Sequence, residues 1–317
     1  MVPGTINGHQ HSHEHFQKGR LENLLRDHLD AVFQACEDIG IRALVGLAMF
    51  DKPVDSHFPW VEDACTPDAL EMLRAIPVPD RAALLALSDE LARSKHPHRH
   101  RVGSVLWASA PHRCTDGFLR EIRALADRHA RPATVHVQET RLQVVRGGLF
   151  YGRTMIEHLD LLARSGATAR HDPRINLLLG AGVQLLRALL DAGVNVSLGS
   201  DGTASSMTTN MHIVMGSAAA LYKVREADLG QWVDAREVFA AATVGGARAL
   251  GYGDRLGTLA PGSLADLAGY RLDAPSLLPL NDAVRQLVYA ERGQGLDLMV
   301  VDGELAMQDG RLGLPRP

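Results

Sequence analysis

From its second residue to about residue 201 the chain alternates short apolar runs with amphipathic stretches of helical period. Few folds accept that pattern. The strand candidates are Val2–Asn7, Ile41–Phe50, Arg101–Ala110, Ala133–Glu139, Ala167–His171 and Asn195–Asp201. Between them lie helical patterns over Asp27–Ile39, Arg81–Ser94, Asp116–His129, Gly152–Arg164 and Val183–Ala192. The last of these stops at Gly193, a natural C-cap. Strands separated by helices return to the same end of a sheet, so they run parallel. The pattern thus predicts an α/β fold, a parallel sheet or (β/α) barrel, with further helices over Thr208–Lys223 and Ala235–Leu250.

Past Gly251 the texture changes. Gly257-Thr-Leu-Ala-Pro-Gly-Ser-Leu-Ala-Asp-Leu-Ala-Gly-Tyr and Leu298-Met-Val-Val-Asp-Gly-Glu-Leu-Ala-Met-Gln-Asp-Gly read as short strands joined by Pro-Gly and Asp-Gly turns. Two domains are expected: a barrel over residues 1–251 and a small β-rich module over residues 252–317. An eight-stranded barrel takes about 250 residues, yet six strands are convincing before Gly251. Two joints are tight. From His15 the chain reaches the Asp27–Ile39 helix with no strand between, and Glu157-His-Leu-Asp160 runs straight into Leu161-Leu-Ala-Arg-Ser-Gly166. The expected barrel is therefore distorted and short of strands.

Composition excludes several function classes. A chain of 317 residues, 46% hydrophobic and 22% charged, is an ordinary globular protein. Its net charge of −4 gives no footprint for nucleic acid or an anionic membrane. No apolar run nears the ~20 residues that cross a bilayer. The start, Met1-Val-Pro-Gly-Thr-Ile, lacks the basic and apolar regions of a secretory signal. Cys36, Cys65 and Cys114 are far apart and odd in number, which suits reduced thiols in the cytoplasm. Cys114 has no recognisable base partner for nucleophilic work. No Walker loop and no dinucleotide fingerprint is present. Most of the fifteen histidines sit in loops such as His96-Pro-His98-Arg-His100 and read as solvated.

Four pieces carry metal-site chemistry, each at a strand end. His9-Gln-His11 follows the first strand, and alternation projects both imidazoles to one side. His13 and His15 continue the alternation and read as loop residues near the mouth. His136 ends the fourth strand, with Glu139 three residues on. By residue type alone His136 suits a satisfied buried imidazole as well as a ligand. Asp201 ends Asn195-Val-Ser-Leu-Gly-Ser, where a buried charge must be paired. Gly199 and Gly202 allow close backbone approach there, and a helix N-cap before Thr203-Ala-Ser-Ser is the other reading of Asp201. Imidazole and carboxylate together suit zinc, iron and similar cations. Ser109-Ala-Pro-His-Arg-Cys114 either lines the pocket or forms a plain βα loop.

These pieces resemble the amidohydrolase superfamily, in the branch of cytosine- and guanine-deaminase-like and s-triazine hydrolases. The matching stretches are Pro3-Gly-Thr-Ile-Asn7-Gly-His9-Gln-His11-Ser12, His136-Val-Gln-Glu139-Thr and Asn176-Leu-Leu-Leu-Gly180. They continue through Leu190-Asp-Ala-Gly-Val-Asn-Val-Ser-Leu-Gly-Ser-Asp201-Gly-Thr-Ala-Ser and Ala242-Thr-Val-Gly-Gly-Ala-Arg-Ala-Leu-Gly251. Gly257-Thr-Leu-Ala-Pro-Gly-Ser-Leu-Ala-Asp266 and Val301-Asp-Gly303 complete a match that covers most of the chain. The resemblance implies a distorted TIM-type (β/α) barrel with a small β-sandwich built from both chain ends. It implies one divalent ion, zinc first and iron second, held by His9, His11, His136 and Asp201. It makes Glu139 the acid that protonates the ring nitrogen or leaving group, and Asp201 the base towards the water. Gln138 and His171 are assigned to the substrate, a small heterocycle, and a dimer is expected.

The chain departs from the family pattern in three places. It begins almost at the HxH strand, so the N-terminal strands of the sandwich are missing. The stretch that supplies a second barrel strand is missing near Leu24–Asp27. The sixth-strand histidine that orients the attacking water, due between His158 and Leu161, has no counterpart; His171 matches a position after the seventh strand. The expected reaction is hydrolysis of a carbon–nitrogen bond in a nitrogen heterocycle, a deamination. The competing readings are dechlorination or amide hydrolysis at the same site, or a truncated homologue that binds metal and catalyses nothing.

Overall fold

The computed structural model describes residues 1–8, 25–57, 60–137, 141–148, 152 and 159–313. Within them all six expected strands form, each shorter than its apolar run. They are β1 (Val2–Pro3), β2 (Ala43–Met49), β3 (Val102–Ala108), β4 (Ala133–Val135), β5 (Thr168–His171) and β6 (Asn195–Leu198). Four more follow: β7 (Leu267–Tyr270), β8 (Leu296–Val301), β9 (Glu304–Gln308) and β10 (Arg311–Leu312). Among the described residues these strands make a parallel sheet β2-β3-β4, a parallel pair β5-β6 and an antiparallel sheet β1-β7-β8-β9-β10. The fold is mixed α/β, and no closed barrel occurs among the described residues.

The chain divides into two compact units. One comprises residues 25–33 and 43–152; the other comprises residues 1–24, 34–42 and 153–317. The helix Leu25–Asp38 is shared between them.

In the unit containing β2, β3 and β4, the helices Arg81–Ser94 and Asp116–Arg128 pack on the sheet. Both begin where a side chain satisfies orphan N–H groups: Asp80 accepts from Ala82 at 2.8 Å, and Thr115 from Phe118 at 3.2 Å. The first helix ends at Lys95, whose carbonyl, with that of Ala92, takes Arg131 Nη2 at 2.6 and 3.0 Å. That guanidinium is buried, and it holds the last turn to the neighbouring strand through Ser104 Oγ at 3.1 Å. Ser104 also donates to Leu91 O, so β3 turns Ser104, Leu106 and Ala108 towards the helices and Trp107 to the opposite face.

In the other unit one face of β5 and β6 presents Ala169, Val196 and Leu198 to an apolar core. Leu186 and Leu189 of the helix Leu186–Asp191, Met211, Val214, Met215 and Ala218 of the helix Met211–Arg225, and Val238 fill it. Gly193, at φ +74°, ends the first of these helices as the sequence leads one to expect. The long expected helix Ala235–Leu250 opens into a π turn over Ala241–Gly245 and resumes over Gly246–Ala249. Gly245 makes that turn possible: a Cβ there would lie 1.9 Å from the Val196 carbonyl oxygen.

The five-stranded sheet draws on both chain ends, because Val2 pairs with Ala268 and Pro3 with Leu267. Its two hairpins turn at Asp302-Gly303 and Asp309-Gly310, all four residues at positive φ, as the Asp-Gly pairs predict. Residues 252–313 are not purely β, since they include the helix Ala283–Tyr289, capped by Asp282. Both tight joints begin outside the described residues; of the second, Leu159, Asp160 and Leu161 lie in the helix Leu159–Arg164. No helix among the described residues is long and apolar enough to cross a membrane.

Candidate functional site

Among the expected site residues, His9, His11, Gln138 and Glu139 lie outside the described residues, as do His13 and His15. His136, His171 and Asp201 lie within them. No group of three or more His, Cys, Asp or Glu side chains among the described residues is arranged to hold a metal; two of the four expected ligands fall outside that set.

Asp201 follows the end of β6 and is 4% exposed. Its φ is +59°, a left-handed conformation that costs a non-glycine residue free energy and gathers at functional sites. The sequence placed the conformational freedom in Gly199 and Gly202; the unusual backbone falls on Asp201 itself. The N-cap of the helix Thr203–Ser206 is Gly202, so Asp201 does not cap it. Its Oδ1 accepts the Gly202 N–H at 2.6 Å, and Ser200 Oγ donates to its carbonyl at 3.2 Å.

The segment that leads to His9 is pinned beside this strand end. Gly4, Ile6 and Gly8 donate their N–H groups to the carbonyls of Asp266, Ala242 and Leu198, at 3.1, 2.7 and 2.8 Å. Asn7 then grips Ser200 at two points: Nδ2 donates to Ser200 Oγ at 2.7 Å, and Oδ1 accepts Ser200 N–H at 3.0 Å. Gly8 must be glycine, because a Cβ would stand 2.7 Å from Leu198 O and 3.2 Å from Ser197 Oγ. The residue before His9 and the residue three before Asp201 are thus joined directly.

His171, the last residue of β5, shares the face of Ala169 and pairs in register with Leu198. It is wholly buried, and burial holds its imidazole far below the ordinary histidine range, at about 4, against an opposing pull from Asp172. It is a neutral imidazole on the helix-packed side of the strand.

In the other unit His136 follows β4, 5% exposed. Its Nδ1 stands 2.6 Å from the Ser109 carbonyl oxygen, which also takes the His136 backbone N–H at 3.2 Å. A carbonyl only accepts, so the ring proton sits on Nδ1 and Nε2 carries the lone pair. Metal-bound histidines are oriented in this way by a second hydrogen bond. Trp107, on the same face of the sheet, meets the ring edge-to-face at 5.3 Å between centroids. Ser109 was legible only as part of an ambiguous βα loop. From that loop His112 stands edge-on to His57, which is buried and also meets Phe50. Cys114 is buried too, its thiol donating to Met49 O at 3.4 Å, and burial pushes its pKa up. It is no nucleophile.

Each residue by itself has chemistry that suits a divalent cation: the His136 imidazole is buried with its proton on Nδ1, and Asp201 is a buried carboxylate on a strained strand end. Cys36, Cys65 and Cys114 are all free thiols and form no soft-ligand cluster.

Comparison with known proteins accords with this chemistry. The chain is 32% identical over 303 residues to the 5-methylthioadenosine/S-adenosylhomocysteine deaminase of Thermococcus kodakarensis, covering 88% of this chain and 66% of that protein. It spans 55% to 66% of the length of such curated relatives. Its structure is similar to a zinc-bound adenosine deaminase from Xanthomonas campestris, with TM-score 0.75 and 27% identity, covering 90% of this chain and 65% of that one. The zinc complex of the atrazine chlorohydrolase TrzN from Arthrobacter aurescens shares the fold at TM-score 0.78 and 20% identity, over 99% and 85% of the two chains. Residues 4–306 match the Amidohydrolase family. The chain belongs to the amidohydrolase family.

Proposed function

We propose that this chain is a metal-dependent deaminase that hydrolyses the exocyclic carbon–nitrogen bond of a purine nucleoside. The observation that carries the reading is the buried, left-handed Asp201, with the segment leading to His9 clamped beside it through Asn7 and Ser200. The names of the curated relatives supply the substrate class.

In this reading His9, His11, His136 and Asp201 hold one divalent ion, zinc before iron. Such an ion, when bound, supplies a nucleophile at neutral pH by lowering the pKa of water to about 7. The Ser109 carbonyl keeps the His136 proton on Nδ1, which makes Nε2 the nitrogen that would ligate. Asp201 takes the proton from the attacking water, and Glu139 gives one to the ring nitrogen as the amine leaves. Gln138 contacts the substrate. His171, the weaker substrate candidate of the two, is a neutral imidazole buried at the end of β5.

Residues 1–251 are read as a (β/α) barrel and residues 252–317 as the C-terminal part of a composite sandwich. The pairing of β1 with β7 supports the composite character of that sheet, which draws on both parts. A cytoplasmic location is read from the free thiols, and a dimer is expected from the resemblance alone.

The test is elemental analysis, followed by ammonia release from adenosine, 5′-deoxyadenosine and 5′-methylthioadenosine. One metal per chain and ammonia from at least one nucleoside is the expected result. The second reading is an inactive metal-binding relative. It is favoured by the helix Leu159–Arg164, which runs through the joint where the sixth-strand histidine is due. Metal at full occupancy without ammonia release decides for it.

A further inference from the structure

The face of β5 and β6 opposite the apolar core is polar. Thr168 pairs with Asn195 and Arg170 with Ser197, and Asn195 Nδ2 donates to Thr168 Oγ1 at 2.8 Å across it. Asp172 orients Arg170 by accepting its Nε–H at 2.8 Å, with both side chains mostly buried, 16% and 11% exposed. No partner for the two Arg170 Nη groups occurs among the described residues.

Three buried polar atoms around Arg170 also lack partners. They are Asp172 Oδ1, Ser197 Oγ and Gln184 Oε1, the last on a side chain whose Nε2 donates to Arg170 O at 3.2 Å. Ser197 is 1% exposed. A buried polar atom without a partner costs roughly 1–3 kcal/mol, so several in one place mark a position that something else fills. The place is informative. Ser197 stands four residues before Asp201 on the same strand, and Arg170 Cδ lies 3.5 Å from where a Gly8 Cβ would be, one residue before His9.

The chemistry of the missing partner follows from the charges. Asp172 already neutralises Arg170, so a second anion gains little from the guanidinium and faces the unpaired carboxylate oxygen. A cation meets the opposite objection. A neutral group that both donates and accepts meets neither objection: its hydroxyl hydrogen goes to Asp172 Oδ1, and its oxygen accepts from Arg170 Nη or Ser197 Oγ. Two adjacent hydroxyls would engage both sides of the Arg–Asp pair at once.

We propose that Arg170, Asp172 and Ser197 form the subsite for the hydroxyl-bearing part of the substrate, a pentose diol; this rests on the nucleoside reading above. The subsite sets which nucleosides are accepted and leaves the chemistry at the purine to other residues.

The experiment compares zinc-loaded wild type, Asp172→Asn and Ser197→Ala on adenosine and 2′,3′-dideoxyadenosine, with thermal unfolding as the check on folding. Calorimetric binding of inosine and 2′,3′-dideoxyinosine gives a readout independent of turnover. Wild type should prefer the diol substrate by about 10- to 100-fold in kcat/KM, the range of a lost hydrogen bond to a charged group. Asp172→Asn should raise KM for adenosine about 10-fold while leaving the dideoxy substrate within about twofold. Ser197→Ala should move in the same direction by less. Equal treatment of the two substrates by wild type, or equal losses on both in Asp172→Asn, overturns the subsite and leaves the deaminase reading standing. If neither nucleoside is deaminated, the activity fails and the subsite is judged on binding. Tighter inosine then supports it, and equal or absent binding overturns it.

Discussion

Asn7 and Ser200, 193 residues apart, hold each other by two hydrogen bonds of 2.7 and 3.0 Å. That clamp ties the approach to His9 to the approach to Asp201. Its energetic weight comes less from the bonds than from what their loss leaves behind, an amide and a hydroxyl partly buried without their mutual partners. Asn7→Ala should destabilise the protein by about 1–3 kcal/mol. It should also weaken zinc binding by about 10- to 100-fold, as loss of a ligand-orienting contact does elsewhere. Chelator competition measures the second effect separately from urea unfolding. Unchanged zinc affinity would show that the clamp serves the fold alone.

The close passage of the π turn over β6 gives a sharper structural test. A Cβ on Gly245 would fall 1.9 Å from the Val196 carbonyl oxygen, and that atom belongs to a strand that cannot step aside cheaply. Gly245→Ala should therefore cost more than about 3 kcal/mol, or abolish folding, because overpacking here moves backbone. Gly117→Ala is the control. Its added Cβ would have Arg81 Nη2 as nearest neighbour, at 3.5 Å, and its helix gains from alanine. Denaturant midpoints should separate the two variants widely.

His136 and Asp201 make predictions about metal rather than fold. His136→Gln removes the ligand nitrogen and leaves a polar side chain near Ser109 O. Zinc content should fall well below one per chain while secondary structure by circular dichroism is retained. Asp201→Asn should lower both zinc occupancy and deamination, since the carboxylate is read as ligand and base together. Glu139→Gln should keep the metal and lose nearly all turnover. Full zinc in both His136→Gln and Asp201→Asn would remove the proposed ligand set.

The sequence located what depends on local pattern. Six strands emerge where alternation was strongest, and the Arg81–Ser94 helix has the expected ends because Asp80 caps one and Lys95 closes the other. What it hid depends on distant partners. Pro67–Arg74, capped by Thr66, is short and buries none of its residues, so little beyond its Thr-Pro start marks it. The helix Ala283–Tyr289 was masked by the turn-rich texture around it. Val2–Asn7 read as a strand, yet only Val2–Pro3 pairs as one; the rest spreads single hydrogen bonds over Asp266, Ala242 and Leu198. At the site His136 and Asp201 stood out by residue type and position. Ser109, Asn7 and Arg170 did not, because a common polar residue signals nothing until its partner is known. Asp201 also carries a left-handed backbone conformation, which its residue type does not announce.

His171 ties stability to pH. Burial holds its folded pKa at about 4, below the ordinary histidine value, so the folded state resists protonation where the unfolded chain accepts it. A depressed histidine pKa contributes stability that is complete above about 6.5 and is lost as pH falls towards about 4. Between pH 7 and pH 5 the loss should reach about 2 kcal/mol, because the unfolded chain gains about 1.4 kcal/mol over the folded one for each pH unit below its own pKa. Thermal unfolding followed across that window should show a falling midpoint for wild type. His171→Gln cannot protonate, so its midpoint should fall less steeply over the same range; His96 and His212, also held below the ordinary histidine value by burial, keep a residual slope. The comparison stops at pH 5 because Glu291 enters below it. Its carboxyl is held below the usual range, burial pushing it up but bonds from Ser276 and the Gly295 N–H outweighing that. Parallel slopes for wild type and His171→Gln would mean that the acid sensitivity arises elsewhere.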